Sequence, residues 1–147
     1  MEMDVDQLQA KQAELIAAVP YFAGLAIIID DGSQKEEIEK ALRDKGVAIL
    51  VCPILDGRRG SQATTQITLY CENLVRLEVN PERNAGAGGA NLSITRAWRE
   101  ILKAILAYHP SPGETFWAVP EQPLELSTWQ PGLRTYDLFF VKQFTIA

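Results

Sequence analysis

At 147 residues the chain has the length of one domain able to bury a substantial core. Its 47% apolar and 22% charged residues are an ordinary globular balance, and a formal charge of −5 argues against a general nucleic-acid binder, which carries a basic face. The longest apolar runs, from Leu25 to Ile29 and from Val47 to Leu55, are too short to span a bilayer. The stretch from Met1 to Gln12 is polar and acidic without the apolar segment of a signal peptide, so a cytosolic site of synthesis is expected.

The first element reads as a helix from Asp4 to Val19. Val5, Leu8, Leu15, Ile16 and Val19 fall near helical spacing, Gln, Lys and Glu lie between them, and Pro20 ends the pattern. The run from Gly24 to Ile29 is continuously apolar and β-branched, as in a strand covered on both faces. Asp30, Asp31 and Gly32 stop it. Ser33-Gln34-Lys35-Glu36 then has the pattern of a capping box, with a hydroxyl and a carboxylate three residues apart to satisfy free N–H groups. The helix it opens, from Gln34 to Lys45, places Ile38, Ala41 and Leu42 on one face and closes at Gly46, suited to a left-handed residue.

A second buried strand is expected from Val47 to Leu55. Strand, helix and strand this close together form a parallel crossover if both strands share a sheet. Asp56-Gly57-Arg58-Arg59-Gly60-Ser61 reads as a loop with a mobile basic tip. Beyond it Ile67, Leu69, Cys71, Val75, Leu77 and Val79 hold one phase of a two-residue period across Glu72-Asn73. No Asn-Gly or Asp-Gly marks a hairpin there, so one long strand is expected.

A polar and then glycine-rich loop spans Asn80 to Ala90. A helix from Leu92 to Tyr108 follows, with Ile94, Ala97, Trp98, Ile101, Ile105 and Tyr108 in a clean stripe, stopped by His109-Pro110. Ile94, Trp98, Ile101 and Ile105 are expected to pack on the sheet. The tail contains Pro110, Pro112, Pro120 and Pro123, then two alternating segments around Gln130-Pro131-Gly132, a type II turn signal. The last segment sets Tyr136, Leu138, Phe140, Phe144 and Ile146 on one phase. The fold class is therefore α+β: a mixed β-sheet packed with about three helices in a single domain, residues 1–147.

Few residues suggest chemistry. The glycine-rich loop, with Asn84, Gly86, Gly88 and Gly89, stands ahead of a helix N-terminus and could present N–H groups to a phosphate. It lacks the Gly-Lys-Ser/Thr ending of a Walker loop and the Gly-x-Gly-x-x-Gly spacing, and a loop that orders against a partner accounts for it better. Asp30 and Asp31 could bind a metal at a strand end, though no third carboxylate in motif context joins them, and a strand-to-helix turn is the simpler reading. His109 suits a helix C-terminus, where a cationic ring is favoured, better than catalysis. Cys52 and Cys71 read as buried reduced thiols, with nothing in the spacing to demand a disulfide. Arg58 and Arg59 could meet an acidic neighbour or passing nucleic acid. Among Trp117, Trp129, Tyr136, Phe139 and Phe140, some serve the core and others face outward as subunit contacts. No catalytic residue, metal site or cofactor is expected. The alternative is a small enzyme or ligand-binding domain with a site near Asp30, Asp31 and the Gly86 to Gly89 loop.

The order of elements resembles a known class. An N-terminal helix precedes an α/β portion, and a long strand ends in Leu77-Glu78-Val79-Asn80-Pro81-Glu82-Arg83-Asn84 before a loop. A helix beginning Ser93-Ile94-Thr95-Arg96-Ala97-Trp98 follows, and a hairpin closes the chain with Gly132-Leu133-Arg134-Thr135-Tyr136-Asp137-Leu138-Phe139-Phe140-Val141. This is similar to the small tail-terminator or tail-completion proteins of long-tailed bacteriophages and their prophage relatives. The resemblance implies a homo-oligomeric ring, typically a hexamer, that caps the tail tube and meets the head connector. It implies no turnover chemistry, no membrane, and nucleic acid only in transit. It places the protein in the bacterial cytoplasm during assembly and then in the virion. On that reading Arg58, Arg59, Asn84, Gly86, Gly88 and Gly89 are candidate interface residues, in loops that order on assembly.

Overall fold

The change of period along the chain, from helical spacing to strict alternation and back, is realised as helices laid on both faces of one sheet. The computed structural model describes residues 5–52, 56–62, 65–113 and 117–146. In chain order these form α1 (Val5–Ala17), a 3₁₀ turn (Pro20–Phe22), β1 (Ile27–Ile29), α2 (Lys35–Lys45), β2 (Val47–Val51), β3 (Asp56–Gln62), β4 (Ile67–Val79), α3 (Pro81–Ala85), α4 (Ile94–Leu106), β5 (Leu124–Gln130) and β6 (Leu133–Ile146). The sheet is mixed and runs β1-β2-β4-β6-β5. β1 and β2 are parallel and all other pairs antiparallel. The fold is α+β.

β4 is the spine. β6 pairs with it from Ile67↔Ile146 to Val79↔Arg134, along one whole edge. Its other edge is shared: β2 takes Val75 to Val79 and β3 takes Ile67 to Glu72. The alternating phase of residues 67–79 therefore belongs to a single strand, as expected. The Gln130-Pro131-Gly132 signal also forms its turn, with Gly132 at φ +80° between the paired Gln130 and Leu133.

Alternation sorts two cores. Val47, Ile49 and Val51 of β2, Val75, Leu77 and Val79 of β4, and Leu138 and Phe140 of β6 face α1 and α4. They meet Leu8 and Ile16 of α1, Ala97, Ile101 and Ile105 of α4, and the buried Trp117. On the opposite face Ile28, Ala48, Leu50, Cys52 and Leu74 pack under Ile38, Ala41 and Leu42 of α2. The expected crossover thus has both its strands in one sheet, joined by α2.

Several expectations need correction. The segment expected as a loop at Asp56 to Ser61 is β3, with a bulge between Arg59 and Ser61; pairing with β4 supplies the hydrogen bonds its polar sequence gives no sign of. The first strand is only three residues long and lies at the sheet edge; Ile27 packs on the α1 side and Ile28 on the α2 side, so both faces are covered as expected, but Ile29 is 40% exposed. The second strand ends at Val51; residues 53–55 lie outside the described residues, as does Asp4 at the expected start of the first helix. The capping box does not form. Asp31 Oδ1 takes both the hydroxyl of Ser33 (2.6 Å) and its N–H (3.0 Å), leaving Gln34 as N-cap without a side-chain bond. A charge-assisted bond to a carboxylate outcompetes a neutral cap. In α4 the buried line is Ala97, Ile101 and Ile105, while Ile94 and Trp98 are only half-buried at its flank.

Candidate functional site

The glycine-rich loop is where the expected ligand site, the expected mobile segment and the expected interface coincide. It begins with a helix the sequence reading missed. Asn80 caps α3 by accepting the N–H of Arg83 (3.2 Å), and Pro81 suits the first helical position. Arg83 then reaches back across the fold. Its guanidinium donates to the carbonyls of Arg43 (2.9 Å) and Asp44 (2.7 Å), and to that of Ala87 (2.5 Å). The first two are C-terminal carbonyls of α2 that have no partner within the helix. Gly46 follows them at φ +79°, where an added Cβ would meet the Asn84 backbone within 3.0 Å.

Asn84 fastens the other side. It is buried, its amide donates to the Leu92 carbonyl (3.0 Å) and its oxygen accepts the Leu92 N–H (2.8 Å). Gly89 packs so closely that a Cβ would collide with the Arg83 and Asn84 carbonyls. Successive amides are all taken: Gly89 N–H by Gly86 O, Ala90 by Lys45 O, Asn91 by Asn84 O, Leu92 by the Asn84 side chain and Ser93 by the Tyr21 hydroxyl. Those five amides, already bonded, cannot cradle a phosphate, and their bonds make the loop a joint linking α2, β4 and α4. Where the sequence suggested a loop that orders against a partner, Asn84 and Gly89 to Ser93 bond within the chain. Gly86 and Gly88 are exposed on the joint and remain open to a partner.

Asp30 and Asp31 stand at the other end of α2. Asp30 Oδ1 accepts the Gly32 N–H (2.9 Å), and Gln34 Oε1 accepts the Asp31 N–H (2.9 Å). The Ser33 hydroxyl above all holds the Asp31 carboxyl below the ordinary aspartate range. The eleven residues of α2 separate this turn from the glycine loop, about 16 Å at the rise of an α-helix. The two stretches raised together from the sequence thus flank opposite ends of α2. Among the described residues no His, Cys, Asp and Glu side chains gather in threes to hold a metal ion.

A groove of about 280 Å³ opens between β1 and α2, floored by Leu25, Ile28 and Ala41 and rimmed by Glu37, Lys40 and Asp44. This is below the roughly 300–1,000 Å³ of small-molecule sites, and Lys40 is spent on Asp44 at 2.5 Å. A second, open groove lies on the α2 face of the sheet, between β4, β6 and the chain ahead of β5, lined by Glu72, Glu121, Glu125 and Phe139.

Cys52 and Cys71 are buried and neither forms a disulfide. Cys52 belongs to the α2-side core, whereas Cys71 shares the parity of Asn73 and Val75 on the other face. Burial pushes the Cys52 thiol up to about 11, which leaves it protonated and unreactive at neutral pH. Arg58 and Arg59 lie in β3 opposite Tyr70 and Leu69. His109 is exposed just past the end of α4. Of the tail aromatics, Trp117 and Phe140 are core, and Trp129 stands 63% exposed beneath the Arg134 guanidinium, 3.6 Å from its ring centre.

A polar lock escaped the sequence reading. Gln9 donates to the Cys52 carbonyl (3.0 Å), and Gln12 and Asn73 exchange side-chain bonds of 3.2 and 2.6 Å. All three side chains are buried, and they fix α1 against the middle of β4. The one available signal was Asn73 itself, a polar residue on the apolar phase of its strand.

No helix among the described residues is long and apolar enough to cross a membrane. Compared with known proteins, the chain matches no protein-family model, and no curated protein matches it either.

Proposed function

We propose that this protein acts by assembly, as a tail-terminator-like component of a long-tailed bacteriophage or prophage, without turnover chemistry. It would form a ring, typically of six copies, that caps the tail tube and meets the head connector. It would be made in the bacterial cytoplasm and end in the virion. The observation that carries the reading is the spine of the sheet. β4 and β6 pair over their full lengths, and the first residues of β4, which β3 also pairs, belong to neither buried core. Ile67 and Tyr70 are exposed there, at 36% and 49%. A long strand pair projecting from a body, with large apolar side chains left in water, suits contact with other subunits better than substrate binding. The succession of long strand, glycine joint, amphipathic helix and Pro-Gly hairpin gives it the order of elements of that class.

The test is genetic and visual. Removing the gene from its phage should leave filled heads and unjoined tails of abnormal length under the electron microscope. Joined tails of normal length in the deletion strain overturn the reading.

A further inference from the structure

The α2 face of the sheet is only half covered. Its core draws helical residues from α2 alone, through Ile38, Ala41 and Leu42 on the β1–β2 side. Toward β5 the register sets Glu78 beside Thr135, Arg76 beside Asp137 with Glu125 next to it, and Glu72 beside Val141. Arg76 and Asp137 cancel: two bonds of 2.7 and 3.1 Å join them and Asp137 is 3% exposed. What remains is acidic. Glu72, Glu121 and Glu125 surround the half-buried Phe139 in an open groove, and Glu78 lies on the same face. Partial burial pushes the Glu78 carboxyl above the ordinary glutamate range, and Asp30 and Asp137 add to the rise while Arg76 opposes it.

On the opposite layer α4 carries a stripe of the other sign, though α1 beside it adds Asp6 and Glu14. Arg96, Arg99 and Lys103 are exposed at spacings of three and four along α4, so they form one stripe, with Leu106 39% exposed beyond them. Lys103 has an exposed contact to Glu100 at 3.7 Å, Arg96 lies over the Tyr21 ring, and Arg99 has no acidic partner among the described residues. A body with unlike charges on its two outer faces is complementary to itself head to tail, and such a contact propagates into a ring or a filament.

We propose that a second copy of this chain occupies the uncovered half of the sheet, its α4 stripe (Arg96, Arg99, Lys103) lying against Glu72, Glu78, Glu121 and Glu125. The contact rests on the reading of the protein as a ring-forming component and specifies which surfaces meet. It is ionic around a central Phe139, with the neighbour's Leu106 at the end of its stripe. Being heterologous, it leaves each copy with one face to give and one to receive.

The experiment is sedimentation and native mass spectrometry of the full chain at low and high salt, with charge reversals. The wild type should be oligomeric at about 20 mM salt and lose mass at about 0.5 M, where screening shortens to a few ångströms. Arg99→Glu with Lys103→Glu should weaken association at least about tenfold, as should Glu72→Lys with Glu125→Lys. Mixing those two variants should restore oligomers that alternate between them, since each then offers the sign the other needs. Circular dichroism melts of the variants, unchanged from wild type, show that folding is not what moved. An oligomer indifferent to both reversals, or no recovery on mixing, overturns the contact, as does a chain monomeric at low salt. All three leave the assembly reading to the deletion strain. Conversely, normal joined tails in that strain, with the charge-paired ring intact, defeat the function and keep the contact.

Discussion

From Leu74 to Val79, β4 is covered by α1 and α4 on one face and joins the α2-side core at Leu74 on the other, and Leu74, Val75, Leu77 and Val79 are all buried. From Ile67 to Tyr70 the same strand carries a similar alternation, yet Ile67 and Tyr70 are among the most exposed large apolar residues of the molecule. The two halves share β6 as a neighbour and differ in what lies above and below. α1 and α4 cover one face of the first half and α2 reaches the other. Alternation decides which residues share a face; only the arrival of another element decides whether that face is dry. One strand thus has a half that stabilises the fold and a half free for other contacts.

The largest effect expected from this contrast is in the covered half. Leu77 is fully buried between β2 and β6 and touches the α1–α4 core. Leu77→Ala should cost about 2–5 kcal/mol, the lost transfer energy plus a cavity. Urea unfolding measures it, and a loss below about 1 kcal/mol would mean the covered half is not core.

Next comes the lock at the boundary between the halves. Gln12→Ala leaves the buried Asn73 side-chain oxygen without its donor and the amide with only the longer bond to the Cys52 carbonyl (3.4 Å), and should cost about 1–3 kcal/mol. Replacing both Gln12 and Asn73 by Leu should recover most of that, because no polar group is then stranded. A double variant as unstable as the single one would show that α1 is held by shape and not by these bonds.

How much of this was legible in the sequence follows the same division. Periods and turn residues announced β4, α2, α4, the Pro-Gly hairpin and the glycine at the end of α2, because each depends on residues close in the chain. β3 was not legible: Asp56-Gly57-Arg58-Arg59-Gly60 has loop chemistry and becomes a strand only because β4 offers an edge. Nor was the glycine joint, whose rigidity comes from Arg83, a surface-type residue whose bonds reach forty positions back to Arg43. The same holds for Gln9 and Gln12, polar residues between the apolar positions of α1 whose partners, Cys52 and Asn73, lie far along the chain. The candidate interface residues were legible as unusual, and in Asn84 and Gly89 that unusualness belongs to the joint.

A smaller effect, of opposite sign, is expected at Glu78. Its carboxyl is half-buried and raised above the ordinary glutamate value, first by desolvation and then by the charges of Asp30 and Asp137. A group with a raised folded pKa stabilises the fold while protonated, and that contribution is lost as pH rises through the folded value. At neutral pH the ionised carboxylate is therefore a burden, and Glu78→Gln should raise the melting temperature slightly. The gain should fade as pH falls toward the ordinary glutamate range, where the wild-type group is neutral as well. A variant less stable than wild type at pH 7 would show that the carboxylate makes a net favourable contact there.

A smaller loss per residue than in the covered half is expected in the bare half, and it sharpens the comparison most. Ile67 and Tyr70 keep 36% and 49% of their surface in water, so Ile67→Ser with Tyr70→Ser should cost less per residue than Leu77→Ala, about 1 kcal/mol for each side chain. Exposed apolar side chains on a long paired strand have another use if the protein works by assembly, because a partner can bury them. The double variant should then still fold, with a modest loss of stability, while fewer heads and tails are joined when it replaces the native gene. A loss per residue approaching that of Leu77→Ala would mean that the projecting strands are core after all. A modest loss with normal joining would leave Ile67 and Tyr70 without a role in assembly and move the search for the contact to the charged faces of the sheet and α4.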